Sequence, residues 1–501
     1  MKVDASLPAP IQALLRPPAR VAAVLERAAN ELEAVKFEYE SHYADQHRQE
    51  IVKLWEMITL LRPGSKKAQY NCAMAAMAAN RRRKAEEIFT QLAADESTSR
   101  YCREAVHKVA ALYWRNGRED QALQLVQSLP GSVENRHSEW LCWRIVRDGL
   151  HLMRRGKVEA GRRAVEAGWS GLPSGNKYAA QIAGVYAAIW GAEKPVPSKA
   201  SKTLHAVDGP TAIVLSGFGW SGSGAVFDFL RNAKGVGDPF AGSEFRLWTG
   251  KDGLNQLYRL VSRRHRPAQA REALAEFLTR YCFGGSFQGF ASEGRQNLWG
   301  RIAGARRGKL VRLAAGLVPA IVSKERSSRG AIEAFRDFSQ GILEITAPSA
   351  RYALLSNCLT AENIEAVELF RQPVVFVSWR DPRDSFLSKR AAFPGSVLDR
   401  QKWERQLTRR IKLYARQKKR VVASCSSWHD IAFEEFVCEP KCRAGILDVL
   451  DIEPETLDGG FSPEVSRKNI GIYRSAGLGT EWNQLVEHIE RSRAECQALT
   501  R

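Results

Sequence analysis

Along the first 172 residues, Ala, Leu, Trp and Tyr recur at spacings of three and four with almost no strand-like alternation, which predicts helices in pairs. Three helix-to-helix turns are expected at Asn80, Gly117 and Gly156, 37 and 39 residues apart. Five positions after each comes a small residue, Ala85, Ala122 and Gly161, as close crossing of paired helices requires. Residues 173–209 carry Pro173, Gly175, Pro195, Pro197 and Gly209 and read as a linker, with a helical pattern over Tyr178 to Trp190 that suits a capping helix. Beyond it the pattern changes. Short apolar runs at Thr211–Leu215, Tyr352–Leu355, Val374–Trp379 and about Val421–Ser424 alternate with helical stretches. This predicts an α/β domain over 210–501 built on a parallel sheet. A helical, Arg-rich insertion is expected at 255–345.

Composition narrows the class. At 501 residues the chain invites two or three domains, and 44% hydrophobic residues fit globular cores. The best apolar run, Leu310 to Val322, is broken by Arg312 and Pro319, so no membrane span is expected. The first residues, with Lys2, Asp4 and several prolines, do not read as a secretion signal. Nine scattered cysteines without a C-x-x-C pair suit a reducing cytosol. Cys438 and Cys442 have no nearby histidine, so no metal is expected. The expected location is cytoplasmic, with room for peripheral contact at the inner face of a membrane. The net charge of +20 favours phosphate, sulfate, nucleic acid or anionic lipid as partner without choosing among them. Residues 380–420 hold 14 Lys or Arg against four Asp or Glu, which for most of those side chains reads as a solvated helix face.

Two segments carry candidate chemistry. Residues 211–231, TAIVLSGFGWSGSGAVFDFLR, read as a buried strand, a glycine-rich turn and a helix starting near Gly224. Glycines 217, 219, 222 and 224 allow positive φ and turn backbone N–H groups into one concavity at a helix start, a nest for phosphate or sulfate. Ser221 and Ser223 add hydroxyl donors. A nucleoside-triphosphatase loop is disfavoured, because Ser223 and Gly224 stand where its Lys and Ser/Thr belong. The second segment, VVFVSWRDPRDSFLSKR at 374–390, is an apolar strand that ends at Arg380 and leads into a helix carrying Ser388. A guanidinium fork and a serine about two turns on can reach one phosphate group.

With Arg380 and Ser388 in this setting, residues 210–480 outside the insertion resemble the sulfotransferases that use 3′-phosphoadenosine-5′-phosphosulfate. The helical first part is similar to tetratricopeptide repeats. The resemblance implies a P-loop-like sulfotransferase domain in which Gly219, Trp220, Ser221, Gly222, Ser223 and Gly224 hold the 5′-phosphosulfate, while Arg380 and Ser388 hold the 3′-phosphate. Ser466–Tyr473, SRKNIGIY, resembles the basic loop that closes over the nucleotide and gives Arg467, Lys468 and Gly471 a cofactor-binding role. Glu244, 20 residues after Gly224, stands where one branch of the family has its catalytic carboxylate. It would remove the acceptor proton as the hydroxyl attacks sulfur. No metal is implied.

The sequence departs from the family at Trp220, where a lysine or arginine normally serves the leaving group, and at Ser356 and Asn357, a place often basic in relatives. Arg246, Lys251 and Lys468 are the candidate substitutes, with Lys468 first. The insertion offers Arg263, Arg264, His265, Arg266, Arg295, Arg301, Arg306, Arg307, Lys309 and Arg312 to an acidic acceptor or anionic lipid, or to solvent alone. His265 is an alternative base. The expected activity is sulfuryl transfer to a hydroxyl or amino acceptor, by analogy a glycan or glycolipid precursor, with the helical repeats holding a partner. The rival readings are a non-catalytic nucleotide-binding adaptor and, last, a nucleic-acid binder, for which no recognised module appears.

Overall fold

The apolar spacings in the first part are realised as helices. A computed structural model describes residues 18–34, 42–95, 99–115, 118, 121–122, 124–125, 136–172, 176–191, 209–262, 267–283, 297–322, 328–393, 399–454 and 460–500. The chain divides into two units, Met1–Ala183 and Gly184–Arg501, the division falling inside the helix Ala179–Ile189. In the first unit, helices Lys66–Ala78 and Arg82–Ala93 pack as neighbours, as do Arg136–Arg154 and Val158–Ser170.

Two of the expected turns have the conformation their residues suit. Asn80 and Gly156 have φ of 60° and 84°, and the next N–H reaches back to a carbonyl of the preceding helix, Arg81 to Ala76 and Lys157 to Leu152. Arg118 N–H closes on Tyr113 O in the same way; Gly117 itself lies outside the described residues. The small residues permit close approach. A Cβ on Gly161 would stand 2.5 Å from Gly149 O, and Ala85 and Ala122 are fully buried.

The second unit is an α/β unit on a five-stranded parallel sheet: β1 (Thr211–Gly217), β2 (Val236–Gly237), β3 (Tyr352–Ser356), β4 (Val374–Trp379) and β5 (Ser427–Ala432), in the order β2-β3-β1-β4-β5. β1 is central, pairing Ile213 with Leu354 on one side and with Val374 on the other. β1, β3 and β4 are almost wholly buried and read as the continuous apolar runs of a sheet covered on both faces.

The fourth expected strand is a correction. Val421 is the last residue of the helix Arg400–Val421, and Val422–Ser424 form a 3₁₀ turn. Trp403, Leu407, Ile411, Tyr414, Lys418 and Val421 form one buried face at spacings of three and four, so Val421 completes a helical stripe. The true edge strand, β5, reads SWHDIA, and its polar residues hid it. Asp430 is fully buried in an ion pair with Lys418, whose side chain is equally inaccessible, and it also accepts from Trp379 Nε1 and Tyr414 O–H.

Between β2 and β3 the chain runs through helices Leu254–Ser262, Pro267–Phe277, Leu298–Arg301, Arg306–Val322 and Ser328–Thr346, the helical segment expected at 255–345. The run from Leu310 to Val322 buries Leu310, Leu313, Leu317, Val318 and Ile321 as core, with Arg312 exposed. No helix among the described residues is long and apolar enough to cross a membrane.

Candidate functional site

In the order β2-β3-β1-β4-β5 the chain fills positions on one side of β1 before crossing to the other. Such a switch point leaves a crevice beyond the carboxyl ends of the strands. Four chain segments meet there: the loop after β1, Asn357 after β3, Arg380 after β4 and Phe433 after β5. They line a cavity of about 940 Å³, together with Glu244, Arg246, Glu362, Ser388, Phe393, Arg410, Ser466 and Asn469.

The loop has a clear polarity. Gly219 and Gly222 take φ of 84° and 86°, and Gly222 caps the helix Ser223–Leu230. Loop carbonyls are held by side chains: Phe218 O by Arg410 Nη1 at 3.2 Å, Trp220 O by Arg380 Nη1 at 3.1 Å and Ser385 Oγ at 3.3 Å, Ser221 O by Ser378 Oγ. None of the N–H groups from Gly219 to Gly224 donates a hydrogen bond among the described residues. The loop therefore ties up its acceptors and leaves its donors unsatisfied, the electrostatic signature of an anion nest. Packing fixes it from below, because a Cβ on Gly222 would stand 2.6 Å from Phe433 Cγ, and one on Gly217 would collide with Ser221 Oγ. Trp220, although not glycine, also takes positive φ, at 58°. Its side chain is 43% exposed at the cavity and meets Phe393 edge to face, with ring centroids 6.1 Å apart.

Arg380 is the second feature. Its guanidinium bonds the carbonyls of Trp220 and Asn469 and lies 5.0 Å over the Phe433 ring. Its Nε is buried without a partner, and no carboxylate among the described residues is within ion-pair distance. Burial pulls its pKa down, opposed by the more distant Asp384, Glu434 and Asp381. A partly buried cation without an ion-pair partner among the described residues is unfavourable, and an anion in the cavity would offset that cost. Ser388, on the helix Pro382–Ala392, lines the same cavity.

Asp384 holds the chain behind this arginine. Its carboxylate accepts from Gly471 N–H at 2.7 Å and Tyr473 N–H at 3.0 Å. Burial pushes its pKa up, against the pull of those two donors. Glu434 accepts the Asp381 N–H at 2.9 Å, and burial raises its pKa too. Glu244 accepts from Asn357 Nδ2 at 3.1 Å and pairs with Arg246 at 3.2 Å; Asn357 also bonds Ser223 Oγ at 3.1 Å. An acidic group is thus joined to the loop's helix through one amide.

The cavity wall brings together Gly219, Trp220, Gly222, Ser223, Gly224, Glu244, Arg380 and Ser388. Ser221 is placed otherwise: its hydroxyl is buried against Gly217 and is not on the wall. Arg467 and Lys468 are exposed at the end of the helix Pro463–Arg467 and also stand off the wall. That segment reaches Arg380 through the Asn469 carbonyl instead. Gly471 meets Asp384, behind the cavity. Lys251 lies outside the wall, where its carbonyl accepts from Tyr281 O–H.

The sequence reading passed over Arg410, Phe433 and Glu362. Arg410 had a signal: it lies three residues after Leu407 and four before Tyr414, at the edge of the buried stripe.

Several insertion arginines serve the fold. Arg301 bonds Phe240 O and Ser243 Oγ, Arg307 bonds Trp299 O and Ile302 O, and Lys309 pairs with Glu344. Arg306 reaches Ile345 O at 3.5 Å. Arg263, Arg264, His265, Arg266 and Arg295 lie outside the described residues. No group of three or more metal-ligating side chains occurs among the described residues. Comparison of the chain with protein-family profiles, curated proteins and solved structures finds no match.

Proposed function

We propose that the second unit is a sulfotransferase-like domain that transfers a sulfuryl group from 3′-phosphoadenosine-5′-phosphosulfate to a hydroxyl or amino acceptor, such as a glycan or glycolipid precursor. The observation that carries this reading is the pairing, on one cavity, of a loop whose N–H groups from Gly219 to Gly224 lack acceptors among the described residues with an arginine whose buried Nε has no partner among them either. Two separate anion-seeking features suit a ligand with two separate anionic groups. The nucleotide would supply the activated sulfuryl group. The loop amides would orient its 5′ end, and Arg380 with Ser388 would hold its 3′-phosphate. Glu244, half exposed and steadied by Asn357 and Arg246, would accept the acceptor's proton as its oxygen attacks sulfur. A positioned base of this kind contributes roughly 10² to 10⁴ in rate. Under this reading the helical hairpins of the first unit are tetratricopeptide-like and hold a protein partner or the acceptor, and the protein works on the cytosolic side of a membrane.

Calorimetric titration with 3′-phosphoadenosine 5′-phosphate, beside ATP and beside an Arg380→Ala variant, tests the reading. Binding that prefers the 3′-phosphate and collapses in the variant is expected. No binding at millimolar nucleotide would remove the proposal. One observation favours a second reading, a nucleotide-binding adaptor without chemistry: Trp220 stands in the loop and no lysine is among the described residues that line the cavity. Tight nucleotide binding without sulfate transfer to any acceptor in a radiolabel screen would favour it.

A further inference from the structure

Among the described residues three cations line the cavity, Arg246, Arg380 and Arg410, and their partners separate their roles. Arg246 is engaged by Glu244 and bonds no loop atom among the described residues. Arg380 reaches the loop only at Trp220 O and otherwise faces Asn469 and Phe433. Arg410 lies against the loop's entrance: its Nη1 donates to Phe218 O and would stand 3.6 Å from a Cβ on Gly219.

Arg410 is also held in place. Its Nε pairs with Glu362 at 2.9 Å, which leaves Nη2 without a partner among the described residues. Its helix is anchored by the buried Lys418–Asp430 pair two turns on. Arg405, Arg409, Lys412, Arg416 and Lys419 on the same helix are exposed, as a solvated face requires, whereas Arg410 is 40% exposed. One arginine of a basic helix is thus turned to the loop and fixed by a carboxylate.

We propose that Arg410 is the cation that serves the glycine-rich loop, so that the cavity grips a bis-anionic nucleotide at two ends: Arg410 and the loop amides on the 5′ anion, Arg380 and Ser388 on the 3′-phosphate. This assignment rests on the nucleotide reading above. It gives to Arg410 the charge-neutralising role for which the sequence suggested Lys468. Glu362 acts as a positioning residue, holding the guanidinium at the loop while offsetting part of its charge.

The test is a crossed titration. Wild type, Arg410→Met and Arg380→Met are each titrated with 3′-phosphoadenosine 5′-phosphate, adenosine 3′-monophosphate and adenosine 5′-monophosphate, after urea unfolding confirms that each variant is folded. Loss of one charge-assisted contact at a half-exposed site weakens binding by roughly 30-fold. Arg410→Met should lose about that factor for the two ligands bearing a 5′-phosphate and change little for adenosine 3′-monophosphate; Arg380→Met should show the reverse. Glu362→Gln gives an independent arm: the amide oxygen can still accept from Arg410 Nε and keep the guanidinium placed, while the offsetting charge is gone, so 5′-phosphate binding should tighten several-fold, a gain that misfolding cannot produce. If Arg410→Met binds all three ligands as wild type does, or loses all three equally, or if Glu362→Gln weakens 5′-phosphate binding, the assignment of Arg410 is wrong while the nucleotide site stands. If wild type binds none of them, both proposals fall.

Discussion

Replacing Gly222 with alanine should both destabilise the second unit and loosen the site. Gly222 has φ of 86° and ψ of 9°, a left-handed conformation that costs an L-residue with a side chain about 1–2 kcal/mol. Its new Cβ would also meet the Phe433 ring, 2.6 Å from Cγ and 2.7 Å from Cε2. Phe433 is 3% exposed and packed in the core among Phe436, Val437 and Phe376, so the ring cannot swing into solvent. Overpacking of this kind costs a further 1–3 kcal/mol or so. The expected total is therefore about 2–5 kcal/mol, read from urea unfolding of wild type and variant. Because Arg380 lies over the same ring, affinity for 3′-phosphoadenosine 5′-phosphate should fall as well. In a Phe433→Leu background the overpacking part should shrink while the backbone part remains, giving a non-additive cycle. A Gly222→Ala variant within 1 kcal/mol of wild type, or an equal cost in both backgrounds, would refute the claim that Phe433 closes the loop from below.

Three further outcomes follow from groups already described. Lys418→Met leaves Asp430 as an uncompensated buried charge and should cost about 3–5 kcal/mol, partly restored by adding Asp430→Asn; a loss under about 1 kcal/mol in urea unfolding contradicts the pairing. Burial holds Glu434 above its ordinary value of 4.5, so between that value and the raised one the folded state binds more protons than the unfolded chain. Its stabilising contribution is complete below the ordinary value and is lost as pH rises through the raised one. Glu434→Gln, which can still accept the Asp381 N–H, should then gain stability relative to wild type as pH climbs from 4.5 to 7; a pH-independent difference in urea midpoints rejects this. Ser388→Ala should weaken 3′-phosphoadenosine 5′-phosphate by roughly fivefold, the worth of one hydroxyl contact, with no change in the unfolding midpoint, whereas unchanged affinity removes Ser388 from the site.

Continuous apolar runs made β1, β3 and β4 legible in the sequence, and the glycine spacing marked the first loop. Gly161 shows why the helical turns were legible too, since a small residue is required where Gly149 approaches. β5 was hidden because SWHDIA, which carries the acidic half of a buried charged pair beside a histidine, has neither alternation nor an apolar run. The cavity wall was legible where it is built of local backbone, as at Gly219 to Gly224, or of a residue at a strand end, as at Arg380. It was not legible where a group arrives from far along the chain: Arg410 comes 186 positions after Gly224, and only its place at the edge of a helical stripe distinguishes it from its basic neighbours. Lys468 stands off the cavity wall for the complementary reason. Proximity of its segment to Arg380 is delivered by the Asn469 backbone, and a side chain one residue away points elsewhere.

The Lys418 ammonium reaches one group besides Asp430: it donates to Cys496 O at 2.7 Å, near the end of the helix Asn483–Ala498. That helix also stands next to Trp482, which is fully buried against Phe386 and Trp403. The last helix is therefore a buttress behind the wall that presents Arg410. A deletion that trims the chain before Cys496 would withdraw support from the helix that carries Arg410, so a shortened protein should keep every cavity residue named above and still bind the proposed nucleotide less tightly.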